Sequence, residues 1–235
     1  WWGGDFDAVH EYCPQRPTYC AGCSTFRLAM MPMGIIVAFL VFITWYSYVF
    51  LTPHVGWFEL GIFHILLGLV ITSYLQCMLL DPGTVPPSWH AAVLKSPLKD
   101  RYKICRKCHM YKPPRSHFDS ITKRLVLNMD HFCPWMVNCV GFYNRKFFML
   151  FLGWTVVATF YFVLAVVTRA GFKVHNVLVT DDGRVTIIKF MAVIIDTALC
   201  LAVFGFLLFH CKLVYYNQTT IEDDGSRYDM GWRKN

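Results

Sequence analysis

Charge is the scarcest commodity in this 235-residue chain. Only 16% of its residues are Asp, Glu, Lys or Arg, against about 25% in ordinary globular domains. Apolar residues make up 56% and the mean hydropathy is +0.41. A chain so poor in charge cannot solvate a water-exposed surface of ordinary size, so a lipid environment is expected. Internal repeats and low-complexity tracts are also absent, which excludes solenoids and disordered linkers. No apolar run begins before about residue 28, so no cleavable signal peptide is expected within the chain. The chain starts at Trp1 and not at Met, and a longer parent protein is expected.

Four runs are long and apolar enough to cross a hydrocarbon core of about 30 Å, which takes about 20 residues. They are residues 28–51, 57–80, 147–167 and 187–208. The alternative, one large soluble helical core, fits poorly with four such runs. The net charge of +7 is concentrated: twelve of the 22 Lys and Arg residues lie between positions 81 and 146. The connection at 52–56 has none, and that at 171–186 has Lys173 and Arg184. The positive-inside rule then puts the long central loop, and with it both termini, on the cytosolic face. Charges gathered in a loop between spans do not indicate a nucleic-acid partner. Trp57, Phe147, Phe148, Tyr215 and Tyr216 sit at run ends and are expected to form interfacial belts. The expected organisation is a cytosolic segment 1–27, spans one and two within 28–80, a cytosolic catalytic segment 81–146, spans three and four within 147–210, and a cytosolic segment 211–235. Thr219 or Thr220 could cap a short helix there through its hydroxyl.

Ten cysteines are present, but Cys77, Cys200 and Cys211 lie in or beside apolar runs. The others fall in segments placed in a reducing compartment, so metal binding or catalysis is favoured over disulfides. The densest chemistry is Cys105-Arg-Lys-Cys108, Lys112-Pro-Pro-Arg-Ser-His117, Asp130-His131-Phe132-Cys133-Pro134-Trp135 and Asn138-Cys139-Val140-Gly141. Cysteine attacks as thiolate and needs a base. His131 lies two positions before Cys133, and Asp130 can fix the imidazole tautomer as the acid of a Ser-His-Asp triad does. By spacing alone the same residues could be a zinc ligand pair or an ordinary loop. Their place between two spans puts Cys133 near the lipid–water boundary, where an amphiphile with an anionic head can meet it.

These segments resemble the DHHC protein S-acyltransferase family. The resemblance rests on Lys112, Pro113, Arg115, Ser116, Met129, Asp130, His131, Cys133, Pro134, Trp135, Asn138, Cys139, Val140, Gly141 and Asn144. Asp81-Pro82-Gly83, Thr219-Thr220-x-Glu222 and Tyr228-Asp229-Met230-Gly231 with Asn235 extend it. It implies an all-α integral membrane protein with four transmembrane helices and a cysteine-rich-domain-like cytosolic loop between the second and third. It implies a two-step reaction in which Cys133 takes a fatty acyl group from acyl-CoA as a thioester and passes it to a membrane-proximal cysteine of a substrate protein. His131 would be base and then acid, and Asp130 its orienter. Thr219, Thr220, Trp135, Asn138 and Asn235 would support the site, and Lys112, Arg115 and Arg124 would face the acyl-CoA. Membrane lipid is the expected surroundings, and an endomembrane such as the ER or Golgi the expected location. The rival expectation is a catalytically degenerate DHHC-like subunit of a membrane complex.

The match breaks at zinc. The family carries two sites of three Cys and one His. Carried over, the first set is Cys105, Cys108, Phe118 and Leu125, and the second is Asp119, Thr122, Phe132 and Cys139. Only Cys105, Cys108 and Cys139 remain, and a structural zinc needs four ligands. A divergent subset of the family lacks ligands at similar positions and has Tyr for the second His of its signature. Phe118, Leu125 and Phe132 are expected to form one apolar plug in place of metal. Burying each is worth roughly 1.5–3 kcal/mol, against roughly 10–16 kcal/mol for a zinc in small peptides. His10, Cys13, Cys20 and Cys23 have knuckle-like spacing and could bind a metal or donate to Cys105 and Cys108; free or acylated thiols remain the alternative. His109 and His117 read as loop histidines. Asn217-Gln218-Thr219 matches a glycosylation sequon but falls on the cytosolic side. Asp196 and His64 lie inside spans four and two at similar depth and could pair; alternatively Asp196 bonds a Ser, Thr or Tyr.

Overall fold

A computed structural model describes residues 31–52, 55–169 and 183–222. Four long helices dominate: α1 (Met31–Tyr46), α2 (Trp57–Leu79), α4 (Arg145–Arg169) and α5 (Gly183–Tyr215). Between α2 and α4 come the short helix α3 (Pro87–Lys95) and four three-residue strands, β1 (His117–Asp119), β2 (Arg124–Val126), β3 (His131–Cys133) and β4 (Asn138–Val140). Candidate spans occupy Pro32–Leu51, Trp57–Leu79, Arg145–Arg169 and Ile187–Tyr215. The protein is therefore a four-span integral membrane protein, as its charge-poor runs require. The described residues divide into two compact units: those within Gly34–Tyr74 and Met149–His210, and those within Leu75–Phe148 and 211–222.

The first of these is helical and apolar outside as well as inside. Phe39, Ile65, Phe160 and Leu201 are exposed, as suits a lipid-facing surface. Its interior gathers Tyr48, Phe63, Phe162, Ala165, Val166 and Ala192, with the Tyr48 and Phe63 rings 4.2 Å apart. α1 closes in a π-helical turn at Ser47–Leu51, which aims Tyr48 inward. The Asp196–His64 pairing is not formed. Asp196 accepts from Thr44 Oγ1 at 2.9 Å, whereas His64 bonds Trp45 Nε1 at 3.2 Å and the Leu60 carbonyl at 2.8 Å. A hydroxyl one helix away satisfies the buried acid, which is the alternative the sequence left open.

The second unit begins where α2 stops. Pro82 has no N–H to continue a helix, and Asp81 accepts from the Gly83 and Thr84 amides at 2.8 and 2.6 Å. Gly83 sits at φ +110°, a conformation open to glycine. α3 starts with Pro87 at its first position, where a missing N–H costs nothing. It lays Trp89 and Val93 on Val85, Leu125 and Leu127. β1 pairs antiparallel with β2, setting Phe118 opposite Leu125. β3 pairs with β4, setting Phe132 opposite Cys139 and Cys133 opposite Asn138. At the far end, α5 runs past the expected 208 to Tyr215. It stops as Asn217 turns left-handed (φ 50°) and Gln218 N–H bonds the Leu213 carbonyl at 2.7 Å, a helix ending suited to Asn.

Candidate active site

β3 and the short loop after it carry the candidate nucleophile and base. Pro134 opens a 3-10 turn, and Val137 closes it in the left-handed region (φ 52°). That conformation is strained for a β-branched residue. It turns the chain so that β4 returns beside β3. The turn is held by Asn138, whose Nδ2 donates to Leu80 O at 2.8 Å and is shared with Cys77 O and Met78 O at 3.2 Å. Cys77 O and Met78 O are terminal carbonyls of α2 with no intrahelical donor, and Leu80 O lies one residue past its end. Asn144 reaches the same helix end, donating to Cys77 O at 3.1 Å and Cys139 O at 2.8 Å, and accepts from Gly141 N at 2.9 Å. A Cβ on Gly141 would lie 2.5 Å from Pro82 O, so glycine is required there.

Asp130, His131 and Cys133 are brought together. Asp130 is fully buried and its Oδ2 is 2.7 Å from His131 Nδ1. The His131 ring also hydrogen-bonds Cys133, which is 7% exposed. Phe148 meets the imidazole edge-on at 5.3 Å. Burial is the strongest influence on the ring and would lower its pKa. The hydrogen bonds to Asp130 and then to Cys133, with their charges, outweigh burial and hold His131 up at about 9. Burial would likewise raise Asp130. The His131 hydrogen bond, the Arg145 charge and the Thr220 amide reverse this and hold its carboxyl below the usual carboxylate range.

Asp130 is in turn fixed from the end of α5. Thr220 N–H donates to Asp130 Oδ1 at 3.0 Å, and the Thr220 hydroxyl donates to the Asp130 carbonyl. That hydroxyl therefore bonds the site and does not cap a helix. Thr219 is buried and its N–H bonds Glu222 Oε2 at 2.9 Å. Three residues here make contacts that spacing along the chain does not show. Arg145 donates to Gln218 O at 2.6 Å and lies 4.0 Å from Asp130; in the sequence it was only one more positive charge. Glu222 was visible as the acid of Thr-Thr-x-Glu, but its partner was not. Phe148 was expected in an interfacial belt and is instead 1% exposed against His131.

Arg115 and Arg124, expected to face acyl-CoA, have partners inside the protein. Arg115 is 7% exposed and bonds Glu222 and Asn217. Arg124 contacts Asp81, Thr84 and Asn138, each at 3.3 Å. The structure leaves the Lys112 side chain half-buried and Trp135 half-exposed. Asn235, and also His10, Cys13, Cys20 and Cys23, lie outside the described residues.

The zinc sets do not fit zinc. Phe118 and Leu125 pack with Cys108 into the Trp89 cluster. The second set is a hydrogen-bonded knot. Asp119 Oδ2 accepts from Thr122 N at 2.7 Å and Thr122 Oγ1 at 2.5 Å, and Thr122 Oγ1 lies 3.8 Å from Cys139 Sγ. Burial, then the Asp119 charge, pushes the Cys139 thiol far up. Phe132 packs on Cys139 in a cluster with Val126 and Met129. The expected single plug is therefore two, one at each set, because the two hairpins hold Phe118 and Phe132 apart.

Comparison with known proteins decides the family. The family model for the DHHC palmitoyltransferase domain matches residues 98–225. The chain belongs to the DHHC palmitoyltransferase family. Among its relatives, probable protein S-acyltransferase 14 of Arabidopsis thaliana is 36% identical over 202 residues, covering 74% of this chain and 65% of the relative. Probable protein S-acyltransferase 15 of the same plant is 32% identical over 201 residues, covering 83% and 78%. Palmitoyltransferase ZDHHC15 of Homo sapiens is 36% identical over 122 residues, covering 51% and 35%. The chain spans under two thirds of the length of the first two relatives it matches, at 65% and 60%. DHHC membership accounts for the joint presence of four apolar helices and the Asp130-His131-x-Cys133 hairpin.

Proposed function

We propose that this chain is an acyl-CoA-dependent protein S-acyltransferase with Cys133 as its nucleophile. The hydrogen-bonded line from Asp130 through His131 to Cys133 carries this reading. His131, held up at about 9, takes and keeps the Cys133 thiol proton as an imidazolium, on the ring nitrogen that Asp130 does not use. The thiolate attacks the acyl-CoA carbonyl, a new thioester forms on Cys133, and the CoA thiol leaves with the proton from His131. In the second step His131 takes the proton of a substrate cysteine, whose sulfur attacks the Cys133 thioester. Asp130 stays ionised throughout and stabilises the imidazolium.

Lys112 is the basic residue assigned to the CoA phosphates, while Arg115 and Arg124 are assigned to positioning. The concentration of Lys and Arg between residues 81 and 146 supports a cytosolic active site and cytosolic termini, with residues 81–146 as the catalytic segment; an endomembrane is the proposed location by family resemblance. Substrates are proteins with membrane-proximal cysteines. Purified chain incubated with palmitoyl-CoA should gain a hydroxylamine-sensitive acyl adduct that a Cys133→Ser variant lacks, read by intact mass. A folded chain with no adduct would support the other reading, a degenerate subunit of a membrane complex.

A further inference from the structure

Cys105-Arg106-Lys107-Cys108 keeps the backbone of a metal knuckle after losing the rest of its ligand set. Cys105 N–H donates to Met110 O at 2.8 Å, His109 N–H to Cys105 O at 2.9 Å and Lys112 N–H to Lys103 O at 2.8 Å. His109 is left-handed at φ 57°, which closes the turn. The amides of Cys108 and Lys107 point at the Cys105 sulfur, and that of Met110 at the Cys108 sulfur. The two thiols hydrogen-bond each other. Among the described residues, no third Cys, His, Asp or Glu completes this pair as a ligand group. Phe118 and Leu125 occupy the positions where two ligands would stand.

A pair of contacting thiols with no further ligand among the described residues is poised to join. We propose that Cys105 and Cys108 are a redox site, a dithiol that closes to an intramolecular disulfide by exchange with a small disulfide of the glutathione class. Cys105 is 6% exposed and Cys108 is more open, so Cys108 meets the small disulfide first. Burial raises the Cys108 thiol, whereas at Cys105 burial is outweighed by backbone amides, which hold that thiol below its ordinary value, suited to the closing step. Its thiolate attacks one sulfur of the small disulfide, forming a mixed disulfide and releasing one thiol. The Cys105 sulfur then attacks the Cys108 sulfur, the Cys105–Cys108 bond forms, and the second small thiol leaves. The protein loses two hydrogens and the small disulfide gains them. The knuckle turn already holds the two sulfurs in contact, so the second step needs little backbone movement. Elsewhere in this unit Cys139 contacts Thr122, and Cys133 bonds His131.

The test uses the full chain in detergent micelles, equilibrated over a range of reduced to oxidised glutathione. It is then acid-quenched, alkylated, reduced and alkylated with a second reagent. Peptide mass spectrometry should find Cys105 and Cys108 carrying the second label together in most molecules at the oxidising end. Other cysteines should carry the first label, and a Cys105→Ser variant should trap glutathione on Cys108. Zinc at one ion per chain that protects both thiols from oxidation would overturn the proposal, as would Cys105 and Cys108 remaining first-labelled throughout. Both outcomes are readable on native protein, so a variant that misfolds does not decide the matter.

Discussion

Glu222 grips Arg115 along both edges of the guanidinium, with Nε to Oε1 at 2.6 Å and Nη2 to Oε2 at 2.7 Å. The two residues are 107 positions apart in sequence. Their side chains are 2% and 10% exposed. Glu222 also accepts from Thr219 N–H, so the pair sets where Thr220 meets Asp130. Removing one partner of a buried pair leaves an uncompensated charge and costs about 3–5 kcal/mol. Arg115→Ala and Glu222→Ala should each lower the melting temperature and slow self-acylation. Arg115→Lys should rescue little, because lysine cannot bond both carboxylate oxygens in a plane. A double-mutant cycle on thermal unfolding in micelles measures the coupling, and additive losses would contradict it.

His131 is held up at about 9 against an ordinary 6.5. A raised pKa stabilises the fold fully below the ordinary value and loses that contribution as pH rises through about 9. Native protein should therefore melt at progressively lower temperature from about pH 7 to 10. Asp130→Asn should flatten that slope. It should also slow self-acylation by roughly 10²–10⁴-fold, the usual share of acid–base catalysis.

Asn138 and Asn144 cap the end of α2. Asn138→Ala or Asn144→Ala should leave buried carbonyls unpaired, at about 1–3 kcal/mol each. Amide hydrogen exchange should rise at residues 76–83 and in β4, while α5 stays protected.

Gly141 and Gly153 provide a matched contrast. A methyl at Gly141 meets Pro82 O at 2.5 Å and Val126 Cγ1 at 2.7 Å, whereas one at Gly153 meets nothing within 4 Å. Gly141→Ala should cost about 1–3 kcal/mol. Gly153→Ala, in a helix, should be neutral or stabilising by up to about 1 kcal/mol. Thermal melts of the two variants side by side make the comparison.

The Asp119–Thr122–Cys139 knot is expected to do without metal. A strong zinc chelator should leave the melting temperature unchanged, while Thr122→Val, which removes the hydroxyl shared by Asp119 and Cys139, should lower it. A large chelator-induced loss of stability would contradict the knot.

Composition and run length determined the four membrane spans, because a helix in lipid must satisfy its own backbone and present apolar side chains for about 20 residues. Local motifs determined the Asp130, His131 and Cys133 grouping, since three residues within one strand and its entry cannot lie far apart. The sequence also showed that five of the eight positions carried over from the family's zinc sets hold Phe118, Asp119, Thr122, Leu125 and Phe132. Only the tertiary structure decided what each long-range partner was. Arg115 and Arg124 were expected to face acyl-CoA, yet burial made neighbouring carboxylates and carbonyls their partners, since an unpaired guanidinium inside the fold would be costly. Phe118 and Phe132 looked like one plug, and strand pairing separated them. Asp196 looked equally suited to His64 or a hydroxyl, and the register of the helices gave it Thr44. Periodicity and spacing fix what is near along the chain. The choice among chemically equivalent distant partners depends on packing, which no single segment contains.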